Sequence, residues 1–248
     1  MKPVLFEVLG FPIHSYGLML AIGFLLGIWK ALKSNEKYKI SKDNVYDLCL
    51  ICLVSGILGS RLVYILLNLQ TESFSKFFVL WQGGLSFHGG LALALLAGYI
   101  YTKRKNISFL TCGDLFAPAV AIGYAVTRIG CFLNGCCYGA PCSLPWAVRF
   151  NEFGTLTPPS HPTQIYAMIA NFIIAIILSI VQKKDHEHGY VFILWIGLYG
   201  VYRFINEFFR KGYSAEVFAG GITEAQVISI IMIVISAFVL LLKYKKTR

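Results

Sequence analysis

Three arginines stand inside long apolar stretches, where a charged side chain needs a specific reason to be present. Arg61 follows VSGILGS, Arg128 follows AIGYAVT, and Arg203 lies within WIGLYGVYRFINEFFR. A charge at membrane depth is costly and usually faces a cavity or a partner, and one guanidinium can donate two hydrogen bonds to a phosphate. Three arginines on separate stretches therefore favour a shared pocket for an anionic lipid headgroup over separate side chains that snorkel to the interface.

A glutamate accompanies the third arginine at helical spacing. Arg203, Glu207 and Arg210 fall at i, i+4 and i+7, which predicts that they share one face of a helix. The glutamate can then hold one arginine in place and leave the donors of the other free. The alternative is a self-contained ladder of ion pairs within an interfacial belt of aromatic residues.

Histidines and tyrosines begin or precede several of the apolar stretches. His88 lies in GGLSFHGG, and an imidazole can take a proton from a thiol or a hydroxyl. The alternative for His88 is a structural hydrogen bond. Tyr16 lies in HSYG and His161 in SHPTQIY, and we expect both at the same membrane face as His88.

Four of the seven cysteines fall within twelve residues, at Cys131, Cys136, Cys137 and Cys142. Their spacing does not match the paired CxxC pattern of structural zinc sites. A disulfide from Cys136 or Cys137 to Cys142 is chemically allowed outside the cytoplasm, and a thiol that carries a lipid is a further alternative. We interpret the cluster as packing beside a tight glycine turn, without a catalytic role.

The composition indicates a membrane protein made of helices. Of 248 residues, 57% are hydrophobic and 14% are charged, whereas soluble domains carry roughly 25% charge. A membrane span needs about 20 mostly apolar residues, and seven stretches of the chain qualify. We predict an all-α bundle that forms a single integral membrane domain over residues 1–248. The predicted spans are 16–34, 45–67, 85–102, 111–130, 165–182, 189–208 and 224–242.

The positive charge predicts an orientation rather than a nucleic-acid partner. The net charge is +10, and most of the 22 Lys and Arg residues follow the first, third, fifth and seventh stretches. Since lysine and arginine accumulate on the cytoplasmic side of a membrane, the N-terminus is predicted outside and the C-terminus in the cytoplasm. The three arginines within the spans then lie toward the outer face.

Six segments, in this order, resemble the prolipoprotein diacylglyceryl transferase family. They are HSYGLML, GLSFHGGL, RIGCFLNGCCYG, HPTQIY, YGVYRFINEFFR and ITEAQVISI, and together they extend over almost the whole chain. The resemblance implies a multi-pass enzyme of the bacterial inner (cytoplasmic) membrane, with seven spans and a site that faces outward.

The resemblance also implies the reaction. Members transfer the diacylglyceryl group of phosphatidylglycerol to the lipobox cysteine thiol of preprolipoproteins, which forms a thioether and releases glycerol phosphate. This is the first step of bacterial lipoprotein maturation. The implied partners are phosphatidylglycerol, the signal-peptide and lipobox segment and the lipid bilayer, with no metal or other cofactor. Two alternatives are a family relative with a different acceptor and a non-catalytic protein that binds or transports anionic lipid.

Roles for individual residues follow from the resemblance. It implies that Arg128 binds the lipid headgroup, that Arg203 assists, that His88 is the base and that Arg61 supports the pocket. Other residues match family positions that bind substrate: Tyr16, Asn134, Gly139, His161, Tyr199, Glu207 and Arg210. The chain departs from the family where many members have Asn, Glu and Glu, at Cys131, Cys136 and Ala167.

Overall fold

Seven α-helices make up most of the part of the chain that the structure describes, as predicted from its composition. The computed structural model describes residues 1–8, 10–70, 74–78, 83–152, 154–210 and 221–246. Each predicted apolar stretch overlaps one helix, and the all-α class is confirmed. The helices are α1 Ser15–Leu32, α2 Lys42–Leu67, α3 Phe87–Arg104, α4 Phe109–Asn134, α5 Thr163–Lys183, α6 Tyr190–Glu207 and α7 Glu224–Lys246.

Two short antiparallel hairpins accompany the helices. The first pairs β1 (Val4–Val8) with β2 (Phe11–His14) immediately before α1. The second pairs β3 (Asn151–Glu152) with β4 (Thr155–Leu156), in the connection between α4 and α5. Both hairpins are too short to change the fold class, and the first leads directly into the first turn of α1.

Five of the described helices are long and apolar enough to cross a membrane, namely α1, α2, α4, α5 and α7. The two others, α3 and α6, have 18 residues each, about 27 Å at 1.5 Å per residue. Polar residues at their ends lower their mean hydropathy, including Lys103 and Arg104 in α3 and Arg203 and Glu207 in α6. The chain is therefore a multi-pass membrane protein, and membrane crossing by α3 and α6 stays a prediction.

The helices belong to two compact units, which are described separately. One unit is Leu32–Cys112, and the other joins Met1–Ala31 with Gly113–Arg248. The organisation as a single integral membrane domain stays a prediction.

Glycines let α2 and α3 pack closely in the unit Leu32–Cys112. A Cβ on Gly59 would lie 2.5 Å from the carbonyl oxygen of Gly89, and a Cβ on Gly90 would lie 2.8 Å from that of Gly56. Small residues at helix crossings are common in membranes, because close van der Waals contact replaces the missing hydrophobic force. Gly89 and Gly90, the last two glycines of GGLSFHGG, thus have a packing role.

Glycines also let α1 and α4 pack closely in the other unit. A Cβ on Gly23 would lie 2.7 Å from the carbonyl oxygen of Gly123, and a Cβ on Gly130 would lie 3.0 Å from Cα of Tyr16. The crossing therefore places the first turn of α1 beside the last turns of α4, where Arg128 stands.

A buried aspartate sets the position of α6 against α4. Asp114 is 0% exposed, and its two carboxylate oxygens accept hydrogen bonds from the backbone N–H groups of Gly189, at 2.5 Å, and Phe192, at 2.8 Å. These donors lie at the start of α6, where backbone N–H groups have no partner within the helix and the helix dipole favours a negative charge. The contact fixes the start of α6 against α4, and further along α6 Tyr199 and Tyr202 contact Tyr124, the one tyrosine of α4.

Candidate active site

Arg128 is held by a tyrosine one helical turn before it. Its Nη2 donates a hydrogen bond to the hydroxyl of Tyr124 at 2.5 Å, and its guanidinium carbon lies 4.5 Å from the centroid of the Tyr124 ring. A guanidinium over an aromatic face is attracted by the ring quadrupole. The Tyr124 ring in turn contacts Tyr199 and Tyr202 of α6, with centroids 5.8 and 6.3 Å away. A cluster of three tyrosines therefore orients the arginine.

Arg203 forms an ion pair with a fully buried carboxylate. Its Nη1 lies 2.5 Å from Oε2 of Glu207, as the i, i+4 spacing predicted, and the Glu207 side chain is 0% exposed. The hydroxyl of Thr223 donates to the other carboxylate oxygen, Oε1, at 3.4 Å. The carboxylate is thus fixed between α6 and the start of α7, and it fixes Arg203.

Arg210 lies beyond the end of α6. The helix ends at Glu207, and Arg210 instead forms a backbone bridge with Gly139. The prediction that Arg210 shares a helical face with Arg203 is wrong, because the chain leaves the helix before it reaches i+7. Nε of Arg210 is still 4.0 Å from Oε2 of Glu207. The carboxylate therefore contacts one arginine within α6 and one beyond its end.

The connection after α4 forms backbone hydrogen bonds with two other segments, one just before α5 and one just after α6. Backbone N–H groups of Gly139 and Ala140 donate to the carbonyl oxygens of His161 and Phe209, each at 2.8 Å. A Cβ on Gly139 would collide with the Phe209 carbonyl oxygen. Glycine is therefore required at 139. Its backbone pairing places His161 and Arg210 on either side of it.

His161 is engaged in an aromatic network. Its Nδ1 lies 3.2 Å from the hydroxyl of Tyr166, which also accepts a hydrogen bond from Nε1 of Trp146 at 2.8 Å. The His161 ring lies 5.1 Å from the ring of Phe209. These contacts favour a positioning role for His161 over a role as a mobile base.

Arg128, Arg203 and Arg210 form one neighbourhood within this unit. Tyr124, which holds Arg128, contacts the ring of Tyr199 with centroids 5.8 Å apart, and Arg203 follows Tyr199 by four residues on α6. Glu207 lies within 4.0 Å of both Arg203 and Arg210. Two predicted substrate-binding residues border this neighbourhood. Tyr16, in the first turn of α1, is 42% exposed and lies against Gly130 of α4, two residues after Arg128, and Asn134 is the exposed last residue of α4.

Arg61 and His88 belong to the unit Leu32–Cys112. Arg61 is only 2% exposed, and its Nη1 donates to the carbonyl oxygens of Gly83 at 2.8 Å and Gly84 at 3.2 Å. Its guanidinium carbon lies 5.5 Å from the centroid of the Tyr64 ring. Arg61 therefore holds the loop that leads into α3.

His88 lies at the end of that loop. It occupies the first turn of α3, is exposed and contacts the ring of Phe87 edge to face, with centroids 5.7 Å apart. The imidazole is thus accessible on a helix whose entry is fixed by Arg61.

Sequence reasoning missed Tyr124, the residue in closest contact with Arg128. Its signal was present in AIGYAVTR, because residues at i and i+4 are neighbours on one face of a helix. The disulfide considered for the cysteine cluster can also be compared with the structure. All seven cysteines are free thiols, so no disulfide joins Cys136 or Cys137 to Cys142.

Two cavities lie away from these side chains. One, of about 320 Å³, is an apolar groove on α1 lined by Ile22, Leu25, Leu26 and Trp29. The other, of about 330 Å³, lies between the end of α5 and the start of α6, the end of α6 opposite to Arg203. The site is therefore identified by its converging charged and polar side chains rather than by the shape of a cavity.

Comparisons with known proteins give one consistent result. The family described as prolipoprotein diacylglyceryl transferase matches residues 3–242. The chain is 36% identical over 242 residues to a protein of Clostridium tetani, with 96% of each chain covered. It is 34% identical over 236 residues to one of Clostridioides difficile, with 94% of this chain and 92% of the relative covered. It is 31% identical over 249 residues to one of Finegoldia magna, with 99% and 97% covered. All three relatives are named phosphatidylglycerol–prolipoprotein diacylglyceryl transferase.

Proposed function

The chain belongs to the prolipoprotein diacylglyceryl transferase family, and on this premise we propose that it transfers the diacylglyceryl group of phosphatidylglycerol to the lipobox cysteine of preprolipoproteins. The products are a thioether-linked lipoprotein precursor and glycerol phosphate. The main supporting observation is the guanidinium of Arg128, held against Tyr124 in one unit with Arg203 and Arg210.

The reaction needs a base and a cation. The substrate thiol loses its proton, and its sulfur bonds to the carbon of the diacylglyceryl group that carries the phosphate. The bond between that carbon and the phosphate oxygen breaks. The electron pair stays on the departing phosphate oxygen. A thiol with a pKa near 8.5 is mostly protonated at neutral pH, and only the thiolate is a strong nucleophile. A proton acceptor beside the sulfur therefore accelerates formation of the carbon–sulfur bond. Positive charge beside the phosphate accelerates its departure.

Arg128 supplies the positive charge in this proposal. A guanidinium has five N–H donors. Tyr124 accepts from one and the Cys131 sulfur lies 3.9 Å from Nη1, so donors remain for two phosphate oxygens. The tyrosine contact fixes the arginine before substrate arrives, and a preorganised donor needs no rearrangement as charge develops. Loss of one such donor typically costs roughly 3 kcal/mol of transition-state stabilisation.

Arg203 assists from α6. Its ion pair with Glu207 sets its orientation, and Thr223 sets the orientation of Glu207. Tyr199, four residues before Arg203 on α6, contacts the Tyr124 ring that holds Arg128, which supports a common phosphate between the two arginines.

His88 is the proposed proton acceptor. Its exposure and its place in the first turn of α3 support this role, and Arg61 supports it indirectly by holding the preceding loop. The remaining predicted residues are proposed to bind or shape the substrates. They are Tyr16, Asn134, Gly139, His161, Tyr199, Glu207 and Arg210.

We also propose the setting of the reaction. The distribution of lysine and arginine supports an N-terminus outside and a C-terminus in the cytoplasm. The protein then resides in the bacterial inner membrane with its site toward the outer face, where the signal-peptide and lipobox segment of a substrate is exposed. No metal or other cofactor enters the proposed step.

One turnover assay tests the proposal. The purified full chain is reconstituted in vesicles that contain phosphatidylglycerol and is supplied with a lipobox peptide. Mass spectrometry of the peptide and release of glycerol phosphate are measured together, and a peptide with serine in place of the lipobox cysteine is the control. We expect equal amounts of thioether product and glycerol phosphate. Lipid binding without turnover would favour a lipid-binding or transport protein, and turnover with another acceptor alone would favour a relative of different specificity.

A further inference from the structure

Three cysteine sulfurs meet at the end of α4, although their spacing in the sequence did not predict a metal site. The sulfurs of Cys131, Cys136 and Cys137 all lie within 4.8 Å of one another, and those of Cys136 and Cys137 are 3.6 Å apart. We propose that these three thiols form a binding site for a thiophilic cation of the Zn²⁺ class, and that an occupied site inhibits the protein. The inhibition rests on the proposed function, whereas the binding does not.

The end of α4 explains why two of the sulfurs meet. Gly135 has φ of +77°, the N–H of Cys136 donates to the carbonyl oxygen of Cys131, and the N–H of Gly135 donates to that of Phe132, each at 3.1 Å. This is the Schellman pattern, in which a left-handed glycine ends the helix. The same pattern brings the side chain after the glycine back to the residue five positions earlier, so Cys136 meets Cys131.

The third sulfur is placed by a strained backbone that buried side chains hold. Cys137 has φ of +66°, a conformation uncommon for a residue with a side chain. The hydroxyl of Thr163 donates to the Cys137 carbonyl oxygen at 2.8 Å, and Nε2 of Gln164 donates to the Cys136 carbonyl oxygen at 2.7 Å. Thr163 and Gln164 are 2% and 1% exposed. The site is therefore built by the fold and is not a chance contact of mobile side chains.

The separations suit one metal ion. Zinc–sulfur bonds are about 2.3 Å long, so two sulfurs on a tetrahedral zinc are about 3.8 Å apart. The observed separations, 3.6 Å for one pair and at most 4.8 Å for the others, require shifts of about 1 Å or less. Thiolates favour soft ions such as Zn²⁺ and Cu⁺ over hard ions.

Access and charge support the assignment. Cys131 is 5% exposed while Cys137 is exposed, so an ion can enter from the side of Cys137. Nη1 of Arg128 lies 3.9 Å from the Cys131 sulfur, and a nearby cation stabilises thiolates.

Occupancy of the site changes the surroundings of Arg128. Zn²⁺ and three thiols combine with release of three protons, and the resulting centre carries a net charge of −1. This negative centre attracts the guanidinium that we propose to bind the lipid phosphate. Zinc is therefore expected to inhibit transfer by competing for Arg128.

Zinc binding to the reduced full chain in detergent tests the site directly. A chromophoric chelator competes for the metal, and proton release is recorded in parallel. We expect one equivalent of zinc and release of up to three protons. In Cys137→Ser we expect binding weaker by ~100-fold, because loss even of an outer-shell partner costs about 10- to 100-fold in metal affinity.

The matched control is Cys142→Ser, which removes a thiol of the same segment outside the cluster and is expected to leave zinc affinity unchanged. Equal affinities of wild type and Cys137→Ser would overturn the site. So would the absence of stoichiometric binding to the wild type.

The second arm measures transfer with and without zinc. We expect the ratio of the two activities to be low for wild type and Cys142→Ser and near one for Cys137→Ser. Zinc binding without loss of transfer would refute the inhibition alone. A protein that binds zinc and shows no transfer under any condition would contradict the proposed function and leave the metal site standing.

Discussion

The ring of Tyr124 lies against one face of the Arg128 guanidinium, and its hydroxyl accepts a hydrogen bond from one N–H group of that guanidinium. The phenol oxygen lies 2.5 Å from Nη2, and the guanidinium carbon lies 4.5 Å from the ring centroid. The two residues are one helical turn apart on α4, so the contact needs no long-range alignment. Tyr199 and Tyr202 of α6 then enclose Tyr124 from a second helix. A local pair is thereby made rigid by tertiary packing.

Arg128→Lys is expected to lower the catalytic efficiency of transfer about 100-fold or more. An ammonium cannot form two parallel hydrogen bonds to one phosphate, and roughly 3 kcal/mol of lost transition-state stabilisation corresponds to about two orders of magnitude in rate. The turnover assay measures the change. The control is Arg149→Lys, an exposed arginine in the connection between α4 and α5, which should retain activity. Full activity of Arg128→Lys would contradict the headgroup assignment.

Tyr124→Phe keeps the ring under Arg128 and removes only the hydroxyl. A hydrogen bond to a charged group contributes about 1.5–3 kcal/mol, so we expect a loss of at least about tenfold, mainly in the KM for phosphatidylglycerol. The fold should persist, as judged by circular dichroism. Tyr46→Phe, at a tyrosine that is 51% exposed, is the matched control. Unchanged KM in Tyr124→Phe would show that the hydroxyl does not position Arg128.

Glu207→Gln tests whether the buried carboxylate holds Arg203. Removing the charge leaves Arg203 without its ion-pair partner at 2.5 Å, and breaking a buried pair costs about 3–5 kcal/mol. The apparent unfolding temperature should fall by roughly 5–10 °C, together with a loss of transfer. Glu36→Gln, at an exposed glutamate, should change neither quantity. A variant as stable and active as wild type would mean that Glu207 does not position Arg203.

His88→Ala tests the assignment of the proton acceptor. General-base catalysis typically contributes 10²–10⁴-fold, so we expect kcat to fall by about 100-fold or more while binding of phosphatidylglycerol is retained. Retention of lipid binding distinguishes this outcome from misfolding. His188→Ala, in the exposed connection between α5 and α6, is the control. A loss of lipid binding with unchanged kcat would assign His88 to binding instead.

Much of the fold follows from local patterns along the chain. Apolar stretches of membrane length predicted the seven helices within a few residues of their ends, because the cost of exposing polar backbone in lipid allows few other structures. The ion pair of Arg203 with Glu207 followed from helical spacing alone. The contact of Cys131 with Cys136 was also encoded locally, through Gly135 at the end of α4.

Other features depend on residues far apart in the sequence. Arg210 left its predicted helical face because its backbone pairs with Gly139, about 70 positions earlier in the sequence and before α5 begins. Tyr16 reached the site because Gly23 and Gly130 of two helices permit close crossing. Hydropathy and spacing report on single helices, so the sequence by itself determined which segments form helices and which neighbours pair along them. Only the tertiary structure decided which side chains converge, because convergence depends on crossings between helices that no single segment specifies.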